Sequence, residues 1–194
     1  MDGVLAATLC SRNAHKAREL ERLMPGWSIA PLDAVDWPEE TGTTYYENAL
    51  RKATFGFGRV GGWTIGEDSG IEVAALDGRP GLQSARYAPE GLPAIEKLLG
   101  ELEGVEDRRA RYVSELVAIA PDRSVLRGTG VVEGRIADAP RGTGGFGYDP
   151  VFVPDGETQT VGELGDDWKA LNSHRARAAR ALREAVERSG LAAA

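Results

Sequence analysis

The amino-acid sequence predicts an α/β fold with a mixed twisted sheet, and three observations support this prediction. Segments in which apolar residues recur at helical spacing alternate with short apolar or alternating segments of strand length. The chain has 194 residues, which is long enough to bury one substantial core. Neither an internal repeat nor a linker divides it. We therefore expect a single domain over residues 1–194.

The first half of the chain is predicted to contain two helices, each with a capping residue at its start. Asn13 offers a side-chain oxygen to the first turn of one helix. Thr44, followed three residues later by Glu47, matches a capping box at the start of the other. No strand is predicted between these helices. The predicted elements are a strand at 4–9, helices at 13–24 and 45–57, and a strand at 63–66 that breaks at 67–70 and resumes at 71–73.

The second half is predicted to contain two more helices and three more strands. Ile95, Leu98 and Leu102 lie on one face of a helix. Asn172 or Ser173 caps the last helix. The predicted elements are a helix at 92–103, strands at 111–120 and 125–136, a glycine-dense loop at 140–147, a strand at 151–153 and a last helix that stops at Gly190.

Composition and charge exclude several classes of protein. At 42% hydrophobic and 27% charged residues, the chain is close to the average of folded soluble proteins. A net charge of −7 argues against broad binding to nucleic acid or to anionic membranes. No run of eighteen apolar residues and no apolar signal segment is present. The single cysteine, Cys10, excludes an internal disulfide, so we expect a cytoplasmic protein. From the charge and the absence of long apolar runs we expect no membrane or nucleic-acid partner.

Two adjacent carboxylates, Glu67 and Asp68, come at the end of a predicted strand, where polar side chains commonly face a cleft. With Glu39 and Glu40 upstream they offer oxygen ligands to Mg²⁺, which takes one or two carboxylates together with substrate phosphates. The alternative is a turn with solvated acids, because the sequence Asp-Ser-Gly is common in turns. The spacing alone leaves both open.

The glycine-rich segment 142–147 matches the pattern GxGxxG. A dinucleotide-binding loop must open a helix, and here Pro150 restricts Asp149 to extended conformations, so that interpretation fails. Two interpretations remain, a plain hairpin loop or a backbone loop that a flat ligand approaches closely beside Phe146.

Positively charged side chains gather at predicted helix starts or on helix faces beside the glycine-rich loops. Helix N-termini and lysines together form phosphate sites, although an arginine-rich helix face can also be simply solvated. No GxxxxGK[ST] pattern occurs, which argues against a P-loop enzyme. Acidic metal ligands with scattered cations suit a magnesium-bound polyphosphate. These cations are Arg12, Lys16, Lys52, Lys169, His174 and Arg175.

Taken together, five ordered segments of the chain resemble the non-canonical purine nucleoside triphosphate pyrophosphatase family, the ITP/dITP/XTP pyrophosphatases. The resemblance implies an elongated fold of two lobes around a central cleft, a homodimer, and Mg²⁺-dependent cleavage of ITP, dITP and XTP to the monophosphate and pyrophosphate. The segments are 11–20, 39–53, 67–70 with 80–87, 144–150, and Lys169 with 173–175.

The resemblance also implies a role for each matching residue. Asp68 activates the attacking water and, with Glu39, binds Mg²⁺. Phe146 lies against the base, with Asp149, His174 and Arg175 near its edge. The residues implied to hold phosphates are Ser11, Asn13 and Lys16, and Lys52 is implied to add positive charge near them. Those implied to hold the nucleotide are Ser69, Phe146, Gly147, Tyr148, Asp149, Lys169, His174 and Arg175.

The chain departs from the family pattern at three positions. Arg12 replaces a glycine in the usual Thr-Gly-Asn, Glu67 replaces the first aspartate of Asp-Asp-Ser-Gly, and Asn172 replaces an apolar residue. None of these changes removes an implied catalytic group. Two other functions remain open from the sequence: a related pyrophosphatase acting on other modified or ordinary nucleotides, and a nucleotide-binding regulatory module without turnover.

Overall fold

A computed structural model describes residues 4–12, 15–88 and 92–191 of the chain. The predicted capping residue Asn13 lies outside them. The strands are β1 (Leu5–Cys10), β2 (Trp27–Pro31), β3 (Trp63–Val73), β4 (Arg109–Ile119), β5 (Val125–Ile136) and β6 (Phe152–Pro154), and the α-helices are α1 (His15–Leu23), α2 (Tyr45–Val60), α3 (Leu92–Glu101), α4 (Val161–Asn172) and α5 (His174–Ser189). Short 3₁₀ helices follow β3 at Ala74–Leu76 and Gly81–Arg86.

The six described strands form one sheet in the order β2-β1-β3-β4-β5-β6. β1 pairs in parallel with β2 on one side and with β3 on the other. β5 and β6 are antiparallel. The sheet is therefore mixed, and the predicted α/β class is confirmed.

The chain divides into two compact units. Unit 1 comprises Met1–Asp68, Ser114–Gly130 and Arg175–Ala194, and unit 2 comprises Ser69–Val113 and Val131–His174. β3, β4 and β5 each supply residues to both units. The single two-lobed domain stays a prediction.

In unit 1, the alternating side chains of β4 pack into two separate apolar clusters. Leu116 and Ala118 belong to a cluster with residues of α1 and α5. Val117 and Ile119 pack instead with Ala49 and Ala53 of α2. Because successive strand residues point to opposite faces, α1 and α5 cover one face of this part of the sheet and α2 covers the other.

A glycine lets α2 lie close to β3. A Cβ atom built at Gly66 would collide with the backbone of Ala49 and Ala53. Gly66 directly precedes Glu67 and Asp68, so the close helix-to-strand contact holds the two carboxylates at a defined distance from α2.

Unit 2 has its own core. α3 contributes Ile95 and Leu98, and Leu102, directly after its end, joins them on the face that the helical spacing predicts. These side chains belong to one cluster with Tyr112 of β4 and Phe152 of β6. The cluster supports the side chains that line the pocket described below.

Three predictions about elements were wrong. The predicted break at 67–70 is absent, because β3 runs without interruption from Trp63 to Val73. The strand β2 was missed because it is only five residues long, directly follows Pro25 and Gly26, and ends at Pro31, which together are typical of a loop. Helix α4 was missed because glycines lower its helix propensity, and Gly165 adopts a non-helical φ of 75° within it.

Candidate functional site

The two carboxylates at the end of β3 face different surroundings. Because Glu67 and Asp68 are consecutive residues of a continuous strand, their side chains point to opposite faces of the sheet. Glu67 accordingly contacts side chains from α1 and α5. Asp68 contacts side chains from α2. Two adjacent acids thus belong to two different ionic clusters of unit 1.

Glu67 lies in a buried cluster with two cations. Arg175 donates from Nε to its Oε1 at 2.7 Å, and the ammonium of Lys16 lies 3.2 Å from its Oε2. The Nη1 of Arg175 also binds both carboxylate oxygens of Glu19 at 3.0 Å. Burial opposes ionisation of Glu67, but Arg175 and Lys16 outweigh it and hold the pKa of Glu67 well below its usual range. Glu67 is therefore ionised at neutral pH.

Asp68 has a different electrostatic environment. Its Oδ1 lies 3.1 Å from the Nζ of Lys52, and its Oδ2 accepts a hydrogen bond from the side-chain amide of Asn48 at 3.0 Å. Burial raises the pKa of Asp68 above its ordinary value, although Lys52 and Asn48 both favour the ionised form. A carboxylate with a raised pKa accepts a proton more readily than an ordinary aspartate, which suits a general base.

Lys52 connects Asp68 to a second acid. Its Nζ lies 2.6 Å from Oε1 of Glu40 and donates to the backbone carbonyl of Glu67 at 2.9 Å. Burial disfavours the charge on Lys52, but Asp68 and Glu40 outweigh this and raise the pKa of Lys52. The sequence interpretation weighed Glu40 only together with Glu39, whose side chain is exposed in the structure.

The oxygen donors around Asp68 fit a magnesium ion in their chemistry. Asp68 and Glu40 are carboxylates that share one ammonium, and Mg²⁺ takes one or two protein carboxylates with phosphate and water oxygens completing its shell. Within the described residues no group of three or more His, Cys, Asp and Glu side chains is placed to hold a metal ion. A metal here would depend on substrate oxygens for much of its coordination.

Sequence reasoning missed Asn48, which is only 1% exposed. Its Oδ1 accepts a hydrogen bond from the backbone N–H of Gly42 at 2.8 Å, while its amide nitrogen reaches Asp68. Asn48 and Lys52 are four residues apart on α2 and so share a helix face. This four-residue spacing from Lys52 was the signal that could have identified Asn48 from the sequence.

The remaining predicted phosphate residues lie at the start of the chain. Ser11 directly follows β1 and is partly exposed. Lys16, on α1, keeps 22% of its side chain exposed although it is paired with Glu67. Asn13 lies outside the described residues.

In unit 2, Asp149 is the centre of a hydrogen-bond network. Its Oδ2 accepts from the Nζ of Lys169 at 2.7 Å and from the backbone N–H of Phe146 at 2.9 Å. Its Oδ1 accepts from the hydroxyl of Tyr112 at 3.2 Å. Gly145 has a φ of 75° and a Cβ there would collide with Oδ2, so this turn requires glycine.

Aromatic side chains surround this network. The ring of Phe146 is 47% exposed, with the Nζ of Lys169 at 4.4 Å from its centre. Tyr148 donates from its hydroxyl to the carbonyl of Ser84, and burial raises the pKa of Tyr148 to about 12. Gly147 lies between them with a φ of 60°. The exposed face of Phe146 is suited to stacking by a flat ring.

A narrow pocket of unit 2 contains three of the predicted nucleotide-binding residues, Asp149, Lys169 and His174. Tyr112 also lines it, and its ring stacks on the imidazole of His174 with centroids 4.5 Å apart. Sequence reasoning placed Tyr112 only in a strand. The other lining residues are Val132, Phe152, Val161, Trp168 and Ser173.

Two of the predicted nucleotide-binding residues, Ser69 and Arg175, do not line this pocket. Ser69 follows Asp68 within β3 and is partly buried. The guanidinium of Arg175 is 2% exposed and contacts Glu67 and Glu19 in unit 1. The structure therefore groups Arg175 with Lys16 rather than with Asp149.

No described helix combines the length and the apolar character needed to cross a membrane.

The sequence matches the model of the Ham1 family over residues 7–185. A dITP/XTP pyrophosphatase of Deinococcus deserti is 43% identical, over 92% of this chain and 88% of the relative. A dITP/XTP pyrophosphatase of Thermus thermophilus is 42% identical, over 94% of this chain and 92% of the relative.

Solved structures of Ham1 proteins are also similar to this chain. The Ham1 protein of Staphylococcus aureus superposes with a TM-score of 0.85 at 35% identity, covering 95% of this chain and 99% of that one. A HAM1 protein of Coxiella burnetii superposes with a TM-score of 0.83 at 33% identity, covering 95% of this chain and 99% of that one.

Proposed function

The chain belongs to the Ham1 family, and from that premise we propose that it is a nucleoside triphosphate pyrophosphatase acting on ITP, dITP and XTP. Water attacks the α-phosphorus, the bond to the bridging oxygen of the β-phosphate breaks, and the products are the nucleoside monophosphate and pyrophosphate. The reaction removes abnormal purines from the nucleotide pool. The relatives from Deinococcus and Thermus are named dITP/XTP pyrophosphatases.

The observation that carries the proposal is that Glu67 and Asp68, consecutive on β3, point to opposite faces and pair with different cations. Neighbouring carboxylates whose pKa values shift in opposite directions are typical of sites that divide acid–base roles. Glu67 remains ionised and holds cations. Asp68, with its raised pKa, removes the proton from the attacking water.

The cations of unit 1 act on the phosphates. In-line attack at phosphorus is catalysed by positioning and by neutralising the charge that develops on the leaving group. Lys16 and Lys52 supply positive charge, and Ser11 and Asn13 donate hydrogen bonds to phosphate oxygens. Asp68 and Glu39 would hold Mg²⁺, which would neutralise phosphate charge when bound. The contact of Glu40 with Lys52 makes Glu40 a second candidate ligand on that side.

The residues of unit 2 act on the nucleoside. Phe146 stacks on the base, because its ring is exposed and electron-rich faces favour flat partners. Polar groups matched to a 6-oxo purine discriminate against adenine, since a mismatch leaves buried polar atoms unpaired. The residues of unit 2 proposed to hold the nucleoside are Ser69, Phe146, Gly147, Tyr148, Asp149, Lys169 and His174. Arg175 belongs to unit 1, and the nucleotide-binding role that the resemblance implies for it stays a proposal.

We also propose that residues 1–194 act as one domain, that the enzyme is a homodimer, and that it works in the cytoplasm. The single cysteine supports a reducing compartment, because the chain forms no internal disulfide. Light scattering on the purified chain at several concentrations tests the dimer.

The test of the proposed function measures pyrophosphate separately from phosphate. The protein is mixed with Mg²⁺ and, in turn, ITP, dITP, XTP, GTP and ATP. Pyrophosphate from the first three and little from GTP and ATP is the expected result. Equal turnover of all five would make it a related pyrophosphatase of different specificity. Binding without any product would make it a nucleotide-binding module.

A further inference from the structure

Tyr112 connects two residues that lie far apart in the sequence. Its hydroxyl donates to Oδ1 of Asp149, and its ring stacks on His174 with an angle of 7° between the planes. The Tyr112 ring also packs edge-on against Phe152, with centroids 4.6 Å apart. Tyr112 is 8% exposed, so its ring has little freedom to move. A single side chain therefore controls the orientation of both a carboxylate and an imidazole.

The two oxygens of Asp149 are used differently. Oδ2 accepts two hydrogen bonds, from Lys169 and from the backbone of Phe146. Oδ1 accepts one, from Tyr112, among the contacts of the described residues. A carboxylate oxygen has two lone pairs. Oδ1 therefore keeps one acceptor direction, and Asp149 lines the pocket.

The chemistry of the bases makes this acceptor selective. A 6-oxo purine carries a hydrogen on ring nitrogen N1, whereas adenine has a bare lone pair at the same nitrogen. A fixed carboxylate oxygen attracts the first and repels the second. The discrimination depends on orientation, because a carboxylate that rotated freely would turn its oxygen away from adenine.

We propose that Tyr112 is a specificity-determining positioning residue that directs the Oδ1 acceptor of Asp149 at the ring N–H of a 6-oxo purine and holds His174 beside it. This inference rests on the proposed function and adds to it a residue outside the family motifs. Tyr112 touches neither the reacting phosphorus nor the attacking water in this scheme. Its removal changes base selection and leaves the chemical step intact.

The experiment compares the wild-type protein with Tyr112→Phe, which keeps the stacked ring and removes only the hydroxyl. We expect KM for XTP and ITP to rise about tenfold with kcat nearly unchanged, since the lost interaction is one hydrogen bond to a charged group. Activity with ATP, measured at high enzyme concentration, should not fall and should rise if the freed carboxylate turns its oxygen away from the bare nitrogen of adenine. Calorimetry should show Kd for the product IMP rising by the same factor, with Kd for AMP unaltered or lower.

Tyr87→Phe is the matched control, because it removes a hydroxyl from the same unit at a ring that faces Lys97 instead. It should leave every constant at the wild-type value. Unchanged KM and Kd in Tyr112→Phe would overturn the inference, and so would a fall in kcat of equal size for XTP and ATP. Absence of pyrophosphate from the wild type would instead overturn the proposed function, while the IMP and AMP affinities still decide the role of Tyr112.

Discussion

Two regions of the molecule bury ionised side chains, and they do so with different partners. Around Glu67 and Asp68 in unit 1, acids are held by Lys16, Lys52 and Arg175. Around Asp149 in unit 2, one lysine is joined by an aromatic hydroxyl and a backbone N–H. The first region is dominated by charge and the second by directional hydrogen bonds and aromatic surfaces.

The proposed function assigns these two environments to the two parts of a nucleotide. A phosphate chain is recognised mainly by charge, which acts over distance and tolerates small displacements. A base is recognised by hydrogen bonds of fixed direction and by stacking. We therefore expect variants in unit 1 to alter rate and pH dependence, and variants in unit 2 to alter affinity and base selection.

The largest effect is expected for Asp68→Asn, which removes the general base. kcat should fall by about 10³-fold, within the usual range for loss of proton transfer. KM should change little, and the far-UV circular dichroism spectrum should be that of the wild type. Asp33→Asn, at an exposed position, is the control and should keep full activity. A rate close to wild type in Asp68→Asn would remove this residue from the mechanism.

The strand that carries these acids shows how far sequence reasoning reaches. The residue types at Glu67 and Asp68 predicted an oxygen-rich site, but the local pattern suggested a turn, and only the continuous β3 reveals that the two side chains diverge. The surroundings of each face of this strand depend on tertiary packing, because helices α1, α2 and α5 supply the side chains that each face contacts.

Helix prediction succeeded where caps and apolar periodicity agreed and failed where glycine interrupted them. Thr44 accepts a hydrogen bond from the backbone of Glu47, as the capping pattern predicts, and α2 begins at Tyr45. A second capping box at Thr160 and Glu163 was overlooked before the glycines of α4. Contacts between distant residues, such as that of Tyr112 with Asp149, have no local signal and could not be predicted.

The next largest effect is expected for Lys52→Met, which removes the ammonium beside Asp68. Without that charge the pKa of Asp68, already raised by burial, should rise further. The base works only when deprotonated, so activity is lost as pH falls through this pKa, and the acidic limb of the kcat profile should move to higher pH. kcat/KM at neutral pH should fall about 100-fold. Lys97→Met should leave the profile in place, and an unmoved acidic limb in Lys52→Met would contradict the role of Lys52.

A smaller effect, on stability, is expected for Glu67→Gln. Removing the buried carboxylate charge should cost up to about 3 kcal/mol of unfolding free energy, because Lys16 and Arg175 lose their contact with it, although Arg175 keeps Glu19. The folded-state pKa of Glu67 is depressed, so its contribution is fully present above the unfolded carboxyl pKa of about 4.3 and is lost as pH falls towards the folded value. Urea unfolding between pH 7 and pH 3 should therefore show a steeper loss of stability in the wild type than in Glu67→Gln.

The matched control for that series is Glu103→Gln, at an exposed position after α3. Its stability should follow the wild-type curve at every pH. Equal pH dependence of the wild type and Glu67→Gln would show that the buried cluster does not hold Glu67 ionised.

The smallest effect is expected for Lys169→Ala. Lys169 holds Asp149 and lies over Phe146, so its loss should raise KM about tenfold and lower kcat little. Steady-state kinetics with XTP measure both constants, with Lys97→Ala as the control. If neither constant moved, the nucleotide-binding role of Lys169 would be wrong.

The division between charge in unit 1 and base selection in unit 2 is tested most directly by the ratio of kcat/KM for XTP to that for ATP in Lys16→Ala and Lys169→Ala. Lys16→Ala should lower kcat/KM for both nucleotides by the same factor and leave the ratio at the wild-type value. Lys169→Ala should reduce the ratio. A changed ratio in Lys16→Ala together with an unchanged ratio in Lys169→Ala would contradict the account.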